Sequence, residues 1–169
     1  MNLKNKFSSP VNGKPIITSP YGWRVLNGEK NFHDGIDFVS ADAKILNRLN
    51  PSGTDVFAIT DGKVVFDYDK YDDQFRMDMK GHKQDTAGNM VILQHTIDDR
   101  VYFARYLHLL DNAVTMGQQI AKGQRIGRYA DVGFSFGPHL HFDMFKADWS
   151  VKVDPTEILF DVDIPVVKA

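Results

Sequence analysis

Short strand-like runs, each closed by Gly, Pro or Asp, recur along the whole chain, and no long amphipathic helix interrupts them. Runs rich in Val, Ile, Phe and Tyr predict strands at Ile16–Thr18, Gly35–Val39, Val56–Ile59, Lys63–Phe66, Met90–Gln94, Val101–Tyr106, Gln124–Gly127 and His139–Met144. That pattern predicts a mainly β, antiparallel, sandwich-like fold. At 169 residues, with no Gly/Ser linker and no internal repeat, the chain reads as a single domain over 1–169 with its own core. Thr60-Asp61-Gly62-Lys63 reads as a tight hairpin turn, since Asp-Gly tolerates positive φ at both central positions. Two short helices are expected. Asp42–Leu49 has room for two turns before Pro51, and Asp154-Pro155-Thr156-Glu157 reads as N-cap, first-turn proline and capping acid for a helix through Ile158–Phe160. The stretch Asp67–Asp85 holds six acids and four bases with no apolar period, and reads as a long charged surface loop.

Composition narrows the chemistry. The absence of cysteine excludes a disulfide scaffold, a thiol nucleophile and a cysteine-type zinc site. A net charge of −2 gives no basic footprint for nucleic acid. No apolar run approaches the ~18 residues of a membrane-spanning helix. The segment Met1–Pro15 has no apolar h-region, so no secretory signal and no membrane insertion are expected.

Six histidines carry most of what remains. In a strand, His139 and His141 share one face, while Leu140, Phe142 and Met144 share the other and sit on the core. Taken alone, such a pair reads more readily as two surface histidines on a half-exposed strand. Around Phe32-His33-Asp34-Gly35-Ile36-Asp37-Phe38, the residues Phe32, Ile36 and Phe38 are core candidates, and His33 and Asp37 have the types to meet over one cleft. These segments together supply His33, Asp37 and one or both of His139 and His141. Two imidazoles and one carboxylate would leave a fourth tetrahedral position for water, the mark of a catalytic zinc. One histidine of the pair is then expected to bind metal and the other to act as base or hydrogen-bond donor. On strand parity His108 lies with Tyr106 and Ala104, opposite Leu107 and Leu109, and alone it reads more readily as a core or edge packing residue than as a catalyst. His95 is placed at a strand end or behind the site, and His82, in the charged loop, has no assigned role.

In order along the chain stand His33-x-Gly35-x-Asp37, Asp61-Gly62-Lys63-Val64-Val65, Gly88-Asn89-Met90-Val91-Ile92, Tyr106-Leu107-His108-Leu109, Lys122-Gly123-Gln124-Arg125-Ile126-Gly127 and Gly137-Pro138-His139-Leu140-His141-Phe142. These strings resemble the lysostaphin/LytM-like zinc metallopeptidases, peptidase family M23, from about Ser19 to Pro155. The resemblance implies an antiparallel β fold with a groove over the sheet. It implies one zinc per chain held by His33, Asp37 and His141, with His108 and His139 as catalytic residues beside it. It also implies hydrolysis of peptide cross-links in bacterial peptidoglycan, by a monomer. Asp143 stands where the family often has Glu, and Asp42–Pro51 and Asp67–Asp85 are longer than the family's usual connections, so substrate preference is not transferred.

Two other functions compete. A non-catalytic, cell-wall-binding LytM-like module would have lost part of the ligand set, which is complete here. The D-Ala-D-Ala peptidases need an acid two or three residues before a late histidine, and this chain has none. The compact outline suggests a phage endolysin or virion-associated lysin, freed by host lysis or carried in a particle, or a mature secreted enzyme. It would work in the cell wall or periplasm, with the D-alanyl–diaminopimelate cross-link as favoured substrate.

Overall fold

The computed structural model of the chain describes residues 2–26, 28–45, 51–70, 87–133, 135 and 137–161. In chain order it contains β1 (Pro15–Ser19), β2 (Gly22–Leu26), β3 (Glu29–His33), β4 (Ile36–Ser40), β5 (Asp55–Phe57), β6 (Gly62–Tyr68) and β7 (Asn89–Ile97). There follow β8 (Arg100–Asn112), β9 (Gln119–Ile120), β10 (Arg125–Tyr129), β11 (Leu140–Lys146), β12 (Lys152–Val153) and the helix α1 (Pro155–Leu159). Ten of these strands form one sheet with the path β9-β6-β7-β8-β11-β4-β1; β10 joins the end of β8 to β5, and β12 pairs with β11. Each of these pairings is antiparallel. β2 and β3 form a separate two-stranded ribbon.

Alternation along the strands decides which face is buried. Val91 and Leu93 on β7, Ala104 and Tyr106 on β8, Phe142 and Met144 on β11, and Ile36 and Phe38 on β4 lie in register on one face and are fully buried. Phe142 meets Tyr106 edge-on, with ring centroids 5.0 Å apart. Each large side chain in this layer contributes roughly 1.5–3 kcal/mol of burial free energy. The opposite face carries a row of cross-strand partners: Leu107 on β8, His141 on β11, Asp37 on β4 and Ser19 on β1. The apolar layer below thus holds this row in register.

All eight expected strands are present with shifted ends. Asp154 caps α1 as expected, its Oδ1 accepting from the Thr156 amide at 2.8 Å, and the helix stops at Leu159. Three expectations are corrected. The Asp61-Gly62 turn does not join a hairpin, because β5 pairs with β10 while β6 pairs with β7 and β9. Gly62 is needed for close approach: a Cβ there would lie 2.6 Å from the Gln94 carbonyl oxygen. The helix expected over Asp42–Leu49 is not formed at its start, where Lys44–Ile45 pairs as a short strand with Pro51–Ser52. Backbone groups engaged in that ladder are not free for helical bonds; the rest of the expected helix lies outside the described residues. Phe32 is not core but 43% exposed, on the outer face of the ribbon. Of the charged loop, Asp67 and Tyr68 complete β6, and residues 71–85, His82 among them, lie outside the described residues.

The ribbon itself went unpredicted. Its signal was legible in Asn27-Gly28, the dipeptide that favours a two-residue hairpin turn, and Gly28 has φ +83°.

Candidate metal centre

Asp37 and His141 meet because they are direct partners in the β4–β11 ladder. His33 reaches the same point from the end of β3, where the ribbon returns to the sheet edge. His33 Nε2 lies 3.1 Å from His141 Nδ1 and 3.2 Å from Asp37 Oδ1, and His141 Nδ1 lies 3.0 Å from Asp37 Oδ1. Gly35 makes room for the cluster. A Cβ there would stand 2.6 Å from His141 Nε2 and 2.7 Å from the Phe142 carbonyl oxygen.

Hydrogen bonds settle which atoms face inward. His33 Nδ1 donates to the Pro20 carbonyl at 2.9 Å, which leaves an Nε2 lone pair toward the cluster. His141 turns Nε2 toward Asp143 Oδ2, 3.5 Å away, which leaves Nδ1 toward the cluster. Two imidazole nitrogens and a carboxylate oxygen thus converge within about 3 Å, an arrangement that needs positive charge between them, supplied by protons on the imidazoles or by a metal ion in their place. A tetrahedral zinc with bonds of about 2.0–2.2 Å has donor–donor edges of about 3.3–3.6 Å, within a few tenths of an ångström of the spacings here. The donor set therefore fits zinc in both chemistry and spacing. Burial alone would raise the Asp37 carboxyl, yet the hydrogen bonds from His141 and His33 hold it well below the ordinary carboxylate range. It stays ionised.

The cluster lies on the floor of an open groove of about 670 Å³. Arg24, Leu26 and Asn31 of the ribbon wall one side, and Ser135, Gly137 and Pro138 the other. His139 sits just before β11 with its Nδ1 donating to the Gly137 carbonyl at 2.8 Å. Asp131 Oδ1 accepts from the Gly137 amide at 3.1 Å and fixes that turn. His139 Nε2 is then 3.5 Å from Asp37 Oδ1.

His108 departs from strand parity. Alternation would turn it toward the core with Tyr106 and Ala104, but its φ of +61° breaks the alternation and the ring lines the groove. Its Nδ1 donates to the Val132 carbonyl at 2.8 Å, and its ring centroid is 4.8 Å from that of His139. Burial pushes the His108 imidazole down to about 3, so the ring is neutral at neutral pH. His139 is also depressed, chiefly by burial.

The structure therefore brings His33, Asp37, His108, His139 and His141 to one site. It does not bring His95 there. That residue is fully buried behind the sheet, its Nδ1 donating to the Asp61 carbonyl at 2.8 Å, and desolvation lowers its imidazole to about 4. Sequence reasoning missed Arg24, whose guanidinium donates to Ser19 Oγ at 2.5 Å and approaches Asp37 Oδ2 at 3.4 Å. Arg24 stands in the Tyr21-Gly22-Trp23-Arg24 string, but only the unpredicted ribbon turns it inward. Among the described residues, no helix is long and apolar enough to cross a membrane.

Known proteins share this arrangement of strands. The peptidoglycan DD-endopeptidase ShyA of Vibrio cholerae is 35% identical over 138 residues, 80% of this chain and 26% of that protein. The catalytic domain of lysostaphin from Staphylococcus simulans matches with a TM-score of 0.58 at 27% identity, covering 86% of this chain and 90% of that one. A zinc-containing peptidase from Vibrio cholerae also gives 0.58 at 27% identity, over 93% of this chain and 41% of the other. The chain spans about a quarter of the length of ShyA and of its relative ShyB. The sequence pattern of Peptidase family M23 covers residues 31–155 and so takes in His33, Asp37, His108, His139 and His141; the chain belongs to that family.

Proposed function

We propose that this domain is a zinc-dependent endopeptidase that cuts peptide cross-links of bacterial peptidoglycan, with His33, Asp37 and His141 as metal ligands and His108 and His139 as catalytic residues. The observation that carries the reading is the convergence of three metal-ligating atoms, two imidazole nitrogens and a carboxylate oxygen, at 3.0–3.2 Å on the floor of an open groove, with two further imidazoles alongside. Bound zinc would supply Lewis acidity, lowering the pKa of a water and polarising the scissile carbonyl.

The rest falls to the chain's own side chains. Both catalytic imidazoles keep their proton on Nδ1, tied to the carbonyls of Gly137 and Val132, so each offers an Nε2 lone pair to the groove. In the resting state neither Nε2 is a donor; together they can orient the two hydrogens of an attacking water. His139 Nε2 is the better proton acceptor, because the Asp37 carboxylate 3.5 Å away stabilises the imidazolium. His108 resists protonation more strongly, being buried almost completely. Once protonated, His139 becomes the donor that the oxyanion and then the leaving amine require.

The relatives named DD-endopeptidases support a cross-link between D-amino acids, and D-alanyl–diaminopimelate is the proposed bond. Digestion of defined peptidoglycans, with mass analysis of the products, tests this. Chelator-sensitive, zinc-restored release of uncross-linked stem peptides is expected. Tight binding of peptidoglycan with no cut bond, by zinc-loaded protein, would favour a binding module instead.

A further inference from the structure

Behind His141, on the side away from Asp37, lies a carboxylate that the mechanism above does not use. Asp143 is fully buried yet heavily bonded. Its Oδ1 accepts from Arg105 Nε at 2.7 Å, and its Oδ2 accepts from Arg105 Nη2 and, at 2.9 Å, from Lys152 Nζ. Lys152 also bonds Asp34, so two cations and two carboxylates close a balanced network. The register explains the assembly: Arg105 faces Asp143 across the β8–β11 ladder, and Lys152 lies beside Phe145 on β12. We infer that Asp143 is a positioning residue that grips His141 through Nε2 and so aims Nδ1 at the metal, with Arg105 and Lys152 holding Asp143 in place.

The inference rests on the proposal that His141 binds zinc. Three observations carry it beyond that reading. His141 and Asp143 are two residues apart on one strand, so both project from the same face, and Asp143 Oδ2 stands 3.5 Å from His141 Nε2. The Nε2–Cε1 edge of the ring also faces Gly35, which has no side chain to hold it. The orientation of His141 is therefore set by Asp37 at one nitrogen and Asp143 at the other. Finally, holding a fully buried carboxylate in an ion network is a poor device for stability, since apolar replacements of similar volume are often as stable. Its position directly behind a ligand imidazole supplies the reason that stability does not. An outer carboxylate of this kind fixes the ligand's tautomer and raises its basicity.

Asp34, His141 and Asp143 also offer three possible ligand atoms within 4.8 Å of one another. The Lys152 ammonium already bridges both carboxylates, so the chain supplies its own cation there and the network serves one metal, not two.

The test compares wild-type protein with Asp143→Asn by chelator competition for zinc, with metal-free stability measured by urea on the same samples. Zinc binding about 10–100-fold weaker is expected for the variant, at a fold stability that still leaves it native. Equal zinc affinity in a folded variant overturns the inference, while wild-type protein that binds no zinc overturns the underlying assignment instead. Should the variant fail to fold, histidine ¹⁵N NMR on zinc-loaded wild-type protein decides. Coordination through Nδ1 with a slowly exchanging Nε2 proton on His141 is expected, and coordination through Nε2 refutes the role of Asp143.

Discussion

Replacing Gly35 by alanine adds one methyl group, and the structure states where it must go. The new Cβ would lie 2.6 Å from His141 Nε2, 2.8 Å from Cε1 and 2.7 Å from the Phe142 carbonyl oxygen. Ordinary contact begins at about 3.4 Å, so the ring is about 0.8 Å too close. Gly35 is not in the left-handed region, so the backbone accepts alanine without strain and the collision is the whole effect. The Phe142 carbonyl cannot retreat, because Phe142 is paired on both sides, with Tyr106 and with Ile36. The Gly35 segment must therefore shift to clear that oxygen, and the His141 ring must move as well. A shift near 0.8 Å exceeds the roughly 0.5 Å within which a metal constellation must be held. Zinc affinity should fall at least tenfold, whereas metal-free stability should fall by about 1–3 kcal/mol, the usual cost of overpacking. Chelator competition and urea unfolding on the same preparation separate the two effects. A Gly35→Ala protein that binds zinc within twofold of wild type would refute the reasoning that this glycine exists to seat the His141 ring.

The two members of His-Leu-His should separate cleanly: His141→Ala loses zinc by metal analysis, while His139→Ala keeps it and loses about 10²–10⁴-fold in turnover. His108→Gln should fold, retain zinc and lose rate on the same scale; a variant that melts early but cleaves normally when folded would make His108 a packing residue. His95 predicts a pH effect on stability. The unfolded chain protonates it near 6.5 and the folded protein only near 4, so its contribution is present above about 6.5 and is lost as pH falls toward 4. The full loss is roughly 3 kcal/mol, read as the difference between urea-unfolding series for wild type and His95→Gln across that window.

Much of the site was legible because it rests on period-two alternation. Leu140, Phe142 and Met144 are buried as the pattern requires, and this alone turns His139 and His141 to the groove. Ile36 and Phe38 do the same for Asp37. His108 was placed on the wrong face by the same rule, because one left-handed residue inside a strand reverses parity and leaves no mark in the hydrophobic pattern. Phe32 was misplaced for another reason: its strand belongs to a ribbon outside the sheet, so alternation there sorts groove from solvent, not core from groove. Asp143 and Arg105 were invisible as a pair, since a cross-strand ion pair depends on register between segments that the local sequence does not encode.

The same long-range register bears on how the protein folds. The bonded atoms of His33 and His141 belong to residues 108 positions apart, and those of Asp37 and His141 to residues 104 apart. Bringing them together requires the β4–β11 ladder, which closes one of the longest loops in the chain, and such pairings form slowly. Before that step only His33 and Asp37 are neighbours, too few ligands to hold an ion firmly. On the proposed ligand assignment, zinc would enter a nearly finished scaffold and should have little influence on the rate of folding. Its binding energy would act on the way out: an ion that clasps this long-range ladder should slow unfolding far more than it speeds refolding.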